Sequence, residues 1–181
     1  MLAKSIQFIT YPQVSLLDLA GPLDVFIAAN HLSPPDQKPY SISIHALNPT
    51  NEILPSFSVS AETLQPETLS AHTLIVPGGP GIHKFCKDPK FFSHFVNHAD
   101  KATRLVSVCT GVFALAAAGK LDDREATTHW SSYDELEHNF PLIKIRRGPI
   151  FINDGNIWTS AGVTSGIDLA LSIVCLLYTS P

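Results

Sequence analysis

The sequence predicts an α/β domain built around a mostly parallel sheet. Three observations carry that prediction. Short apolar runs alternate with stretches of helical periodicity, the pattern of βαβ units. One of those runs, Arg104–Val108, passes without a loop into Cys109-Thr-Gly111 and an alanine-rich helix. Charged residues make up 15% of the chain and hydrophobic residues 45%, where about 25% charged is usual. That balance suits a large buried sheet.

The elements follow in order. Ser5–Thr10 is the first strand. Apolar residues at helical spacing predict a helix over Leu17–Asn30, and the prolines of Ser33–Pro39 make a surface loop. Ile42–Leu47 is a strand, Phe57–Val59 part of a hairpin, and Thr73–Val76 a buried strand ending in Pro77-Gly-Gly-Pro-Gly81. Asp88 reads as an N-cap with Pro89 in the first helical position. The helix it opens sets Phe92, Phe95, Val96 and Ala99 on one face. Gly119 is placed to cap the alanine-rich helix after Cys109. Strands near Ile143–Ile145, Ile150–Ile152 and Ile157–Thr159 lead to a last helix from Ser165. One domain is expected over residues 1–175. Residues 176–181 read as an atypical tail, a truncation or foreign extension, because Ser172–Pro181 abandons the amphipathic pattern.

A chain of 181 residues can bury a core without disulfides or metals. Its three cysteines, Cys86, Cys109 and Cys175, are too few and scattered for a disulfide framework, so a reducing, cytoplasmic location is expected. The start has no signal-peptide pattern, and no apolar run approaches the roughly 20 residues that span a bilayer. No membrane partner is expected. The net charge of −4 argues against a broad phosphate-binding surface, so no direct nucleic-acid contact is expected from this segment.

The chemistry centres on Cys109. A buried strand that delivers a residue straight onto a helix start forces a sharp turn, as in a nucleophile elbow. Gly111 leaves room for the close approach that turn needs. Free N–H groups and the helix dipole there favour thiolate over thiol and can hold a developing oxyanion. The bland alternative is a buried, inert cysteine. The Pro77–Gly81 loop ends another strand, so it lies on the same carboxyl edge, where the N–H groups of Gly78 and Gly79 can complete an anion pocket.

Asp18, flanked by leucines, is either an N-cap or a carboxylate pointing into the cleft, and sequence physics alone favours the cap. In the cleft, burial would raise its pKa and let it share a proton with the thiol. His129, in Thr127-Thr-His-Trp130, is either a base or orienting group near Cys109 or a satisfied structural histidine. His94 and His98 have the spacing of helical metal ligands but lie opposite the phenylalanine face, so a solvated surface is expected there. His83 and Cys86 form a lone pair of the same sort. Neither a metal nor a cofactor is expected.

Several segments together resemble the DJ-1/PfpI (class I glutamine amidotransferase-like) superfamily. They are Leu17–Phe26, Leu74–Gly79, Val106–Gly111, Ala126–Trp130 and Trp158–Asp168, in the expected order along nearly the whole chain. The resemblance implies a flavodoxin-like three-layer sandwich with the elbow cysteine at the site, often in a homodimer. It also places Asp18 where the superfamily carries its thiol-contacting carboxylate. A late His-x-Glu pair, needed by glutamine amidotransferases, is missing, and Thr110 stands where PfpI-type peptidases carry histidine. Both activities are therefore set aside.

Two branches remain. The sensory domain of AraC-type transcription regulators is similar through Ala114–Asp122 and Thr159–Leu171. Isonitrile hydratase is similar through the Asp18 region, Cys109-Thr110 and the Thr-Thr-His-Trp segment. In the first, a small ligand binds at Cys109, Asp18 and Gly78-Gly79, and the DNA-binding region lies outside this chain. In the second, Cys109 attacks the isonitrile carbon, Asp18 shuttles a proton and Thr110 positions the substrate.

Overall fold

The structure, a computed structural model, describes residues 3–34, 36–54, 57–65 and 70–179. The chain runs β1 (Lys4–Ile9), α1 (Leu16–Leu32), β2 (Tyr40–Ala46), β3 (Thr50–Leu54), β4 (Phe57–Ser60), β5 (Glu62–Thr63) and β6 (Thr73–Val76). Then come α2 (Ile82–Lys87), α3 (Pro89–Lys101), β7 (Arg104–Val108), a 3₁₀ turn over Cys109–Gly111 and α4 (Val112–Ala117). The last part is β8 (Glu125–Ala126), α5 (Tyr133–Asn139), β9 (Lys144–Ile145), β10 (Phe151–Asp154), β11 (Ile157–Ser160) and α6 (Thr164–Thr179). Residues 176–179 of the expected atypical tail lie in α6; Ser180 and Pro181 lie outside the described residues, as does Pro35 of the Ser33–Pro39 loop.

Seven strands form the central sheet in the order β10-β11-β7-β6-β1-β2-β5. Every pairing is parallel except β10 with β11. The expected hairpin exists as β3 with β4, beside the main sheet. β6 and β7 are apolar almost throughout because both faces of the sheet are covered: Leu74, Ile75, Val76, Val106 and Val108 are fully buried. Each such side chain contributes about 1.5–3 kcal/mol by leaving water. α1 and α6 pack together on one face, where a Cβ on Gly21 would lie 2.9 Å from Ile167 and one on Gly166 would lie 2.7 Å from Val108. At the far margin β5 pairs only with His45 and Ala46 of β2. Beyond its reach the Asn30 side chain bonds both backbone groups of Tyr40, accepting from its N–H at 3.0 Å and donating to its carbonyl at 2.9 Å.

Local signals are obeyed closely. Asp88 caps α3 by accepting from the N–H groups of Lys90 and Phe91, with Pro89 behind it. Gly119 ends α4 at φ +66°, its N–H bonding Ala116 while that of Lys120 bonds Leu115, the Schellman pattern. One surface expectation is overturned. His98 is buried and donates through Nε2 to the Gln65 carbonyl at 2.7 Å, and His94 donates through Nδ1 to the Leu64 carbonyl at 2.9 Å. The segment after β5 covers this face of α3, so burial pushes the pKa of His98 down instead of leaving a solvated ring. Phe91 and Phe95 are buried on α3, whereas Phe92 and Val96 are only partly so.

Candidate functional site

The elbow forms where β7 ends. Val108 is extended, and the next residue, Cys109, has φ +56°, a left-handed backbone that reverses the chain into the 3₁₀ turn and α4. Gly111 makes the expected close approach: a Cβ there would lie 2.1 Å from the Val76 carbonyl oxygen at the end of β6. Two long-range contacts hold Cys109 in this conformation. The Thr128 hydroxyl donates to its carbonyl at 2.9 Å. Gly162, at φ +104°, passes so near that a Cβ would lie 2.5 Å from Cys109 Cβ and 2.7 Å from Sγ.

Asp18 is not a cap. α1 begins at Leu16 with Ser15 in the capping position, which places Asp18 on the first turn with only 1% of its surface exposed. Its Oδ1 accepts from the Val163 N–H at 2.9 Å. Burial pushes its pKa up, outweighing the Val163, Cys109 and Ser15 contacts and the charge of His129, which favour the ionised form. Oδ2 is buried without a hydrogen-bond partner.

The thiol departs from expectation. Its pKa is pushed up to about 12, first by burial and then by the Asp18 charge, while the N–H and hydroxyl of Thr110 pull the other way. The helix-start signal is present but too small, because a six-residue α4 behind a 3₁₀ turn cannot offset burial beside a carboxylate. Thiol and carboxyl thus form one proton-holding pair, not a preformed thiolate.

The glycine loop lies against this pair. A Cβ on Gly78 would come within 2.7 Å of Thr110 N and 2.8 Å of Cys109 Cβ. The Gly79 N–H, expected to face an anion, donates instead to Thr110 Oγ1 at 2.9 Å. Gly79 has φ +144°, and a Cβ there would lie 2.4 Å from Ser15 N, so no other residue fits. Tyr11, fully buried, fixes the loop by donating its hydroxyl to the Pro77 carbonyl at 2.7 Å. His129 sits at the rim. Its Nδ1 pairs with Ser131 Oγ at 2.8 Å and caps the turn over Trp130–Ser132 by accepting from the Ser131 N–H. Of the other residues weighed in the sequence, His83 packs on Phe113, with Nε2 3.6 Å from Glu135. Among the described residues no group of three His, Cys, Asp or Glu could hold a metal ion, and no helix is long and apolar enough to cross a membrane.

Sequence reasoning missed Tyr11, Thr128, Gly162 and Val163. The signals were the Tyr11-Pro12 pair and the segments Ala126–Trp130 and Trp158–Asp168, whose resemblance to the superfamily did not single out these residues. Among the described residues, three of the four non-glycine residues with positive φ, Gln13, Cys109 and Val163, belong to the site or the loop beside it. Such strain gathers where geometry is held for a purpose.

A thiol on a strand-to-helix elbow, paired with a buried carboxylate at the carboxyl edge of a parallel sheet, defines a thiol-centred α/β domain. The chain belongs to the DJ-1/PfpI family, which it matches over residues 4–176. Isonitrile hydratase from Pseudomonas putida is 33% identical over 177 residues, which span 95% of this chain and 71% of that enzyme. The HTH-type transcriptional regulator GbdR from Pseudomonas aeruginosa is 33% identical over 101 residues, 56% of this chain and 27% of the regulator. The crystal structure of a ThiJ/PfpI family protein from Pseudomonas syringae superposes with a TM-score of 0.81 at 28% identity, covering 98% of this chain and 70% of that one. The family and both kinds of relative expected from the sequence are thereby found.

Proposed function

We propose that this chain is the ligand-sensing domain of an AraC-type transcription regulator. A small molecule binds in the cleft of Cys109, Asp18, Gly78 and Gly79 and biases the geometry of a homodimer. The DNA contact is made by a region outside this segment. The protonation of the thiol is what favours sensing over turnover: pushed up to about 12, it stays S–H at neutral pH and is a weak nucleophile there. The similarity to GbdR supports the same reading.

A second reading rests on the longer similarity to isonitrile hydratase and on the joint placement of Cys109, Asp18 and Thr110. There, Cys109 sulfur bonds to the isonitrile carbon while Asp18 passes the thiol proton to that carbon, giving a thioimidate. Water then adds, the C–S bond breaks, and an N-substituted formamide leaves with the thiol restored. One experiment separates the readings. The protein is incubated with a small alkyl isonitrile, and formamide is followed by NMR in wild type and Cys109→Ala. Sustained turnover that Cys109→Ala abolishes would overturn the sensing reading. Its absence from folded wild-type protein is the expected result.

A further inference from the structure

Val163 is a β-branched residue at φ +52°, a conformation such side chains adopt only under constraint. The constraint is visible. Its N–H is tied to Asp18 Oδ1 at 2.9 Å, across 145 residues of sequence. That tie draws the preceding Gly162 down onto Cys109, where there is no room even for a methyl group. The following residue, Thr164, starts α6, whose first turn is bound to the same strand of chain through Ser165 N–H and Oγ on the Gly162 carbonyl, at 3.1 and 2.7 Å. One strained turn therefore touches both the reactive pair and the start of the helix packed along α1.

We propose that Gly162–Val163 is a strained latch, with Val163 the positioning residue: tied to Asp18 it closes over Cys109, and a ligand that takes Asp18 for itself releases the first turn of α6. This rests on reading the Cys109–Asp18 cleft as the ligand site and supplies the means by which occupancy leaves it. The tie uses Asp18 Oδ1 as acceptor, so a ligand group that donates to that oxygen, and not merely to the unpartnered Oδ2, competes with Val163 directly. Released strain then favours the open form, because the left-handed backbone is retained only while the surroundings impose it.

The test is amide hydrogen exchange over residues 162–168, which needs no ligand and so fails or succeeds apart from the sensing reading. In Asp18→Ala, exchange at Val163 rises about tenfold or more, the order expected for one lost buried hydrogen bond, and Ser165 and Gly166 follow. Val163→Asn keeps the N–H and tolerates the left-handed backbone. It therefore keeps slow exchange and the wild-type pH profile of Cys109 alkylation, and it melts higher than wild type. Unchanged exchange in Asp18→Ala, or a Val163→Asn protein less stable than wild type, overturns the latch. The second variant keeps the proposal refutable where Asp18→Ala does not fold.

Discussion

Replacing Gly162 by alanine tests the packing at the heart of the site. The new Cβ would lie 2.5 Å from Cys109 Cβ, 2.7 Å from Sγ and 3.0 Å from Cα. Ordinary carbon contacts lie at about 3.5–4.0 Å, so the turn or the elbow must move by roughly 1 Å. Overpacking of this kind costs about 1–3 kcal/mol, and a side chain at φ +104° adds about 1–3 kcal/mol of backbone strain. The sum is about 2–6 kcal/mol. Gly119→Ala isolates the backbone part, because Gly119 has φ +66° and a methyl group there would meet nothing within 4 Å; it is expected to cost about 1–2 kcal/mol. Urea unfolding of both variants, followed by circular dichroism at neutral pH, gives the difference. Agreement of the two variants within about 0.5 kcal/mol would refute the crowding of Gly162 on Cys109.

Three further outcomes are expected. Asp18 has a raised pKa in the fold, so the stability its neutral form confers is full below the unfolded value of 3.8 and declines as pH rises through the native pKa. Asp18→Asn has no such decline, and its melting temperature relative to wild type should improve from acid toward neutral pH; a pH-independent difference would contradict the buried carboxyl. Iodoacetamide should modify Cys109 slowly at pH 7 and faster toward the thiol's value of about 12, read by peptide mass spectrometry, and a midpoint below the free-thiol value of 9.0 would show that burial does not govern the thiol. Tyr11→Phe leaves the buried Pro77 carbonyl without its partner and should cost about 1–3 kcal/mol in the same urea assay, whereas a neutral result would show that the glycine loop holds itself.

What could be read from the sequence was the local physics. Thr73–Val76 and Arg104–Val108 are strands to the residue because short runs rich in β-branched and apolar residues, bounded by turn signals, leave little alternative. The Asp88-Pro89 start and the Gly119 stop are equally local. Asp18 was ambiguous because its partner is the Val163 N–H, and nothing near Leu17 or Leu19 reveals which distant backbone will arrive. His98 misleads for the same reason: helical periodicity places it away from the phenylalanines, but the segment after β5 folds over that side. For Cys109 the nearby signal and the distant one have opposite signs. The helix start lowers the thiol's pKa, whereas burial and Asp18 raise it, and only the second pair depends on the assembled fold.

The Asn30 amide has a consequence at the margin of the sheet. β2 is seven residues long and β5 pairs with just two of them, so among the described residues no strand covers the rest of its outer ladder. Such a ladder is a template on which another chain can add a strand. By occupying both backbone groups of Tyr40, Asn30 puts a side chain where the first hydrogen bonds of an intruding strand would form. Parallel sheets pair segments far apart in sequence and assemble slowly, which lengthens the time their margins stand uncovered. Asn30 belongs to α1, so this guard arrives together with the helix that carries Asp18. At this margin an added strand finds Tyr40 already taken, so α1 guards the sheet from one side while its first turn carries Asp18 to the site.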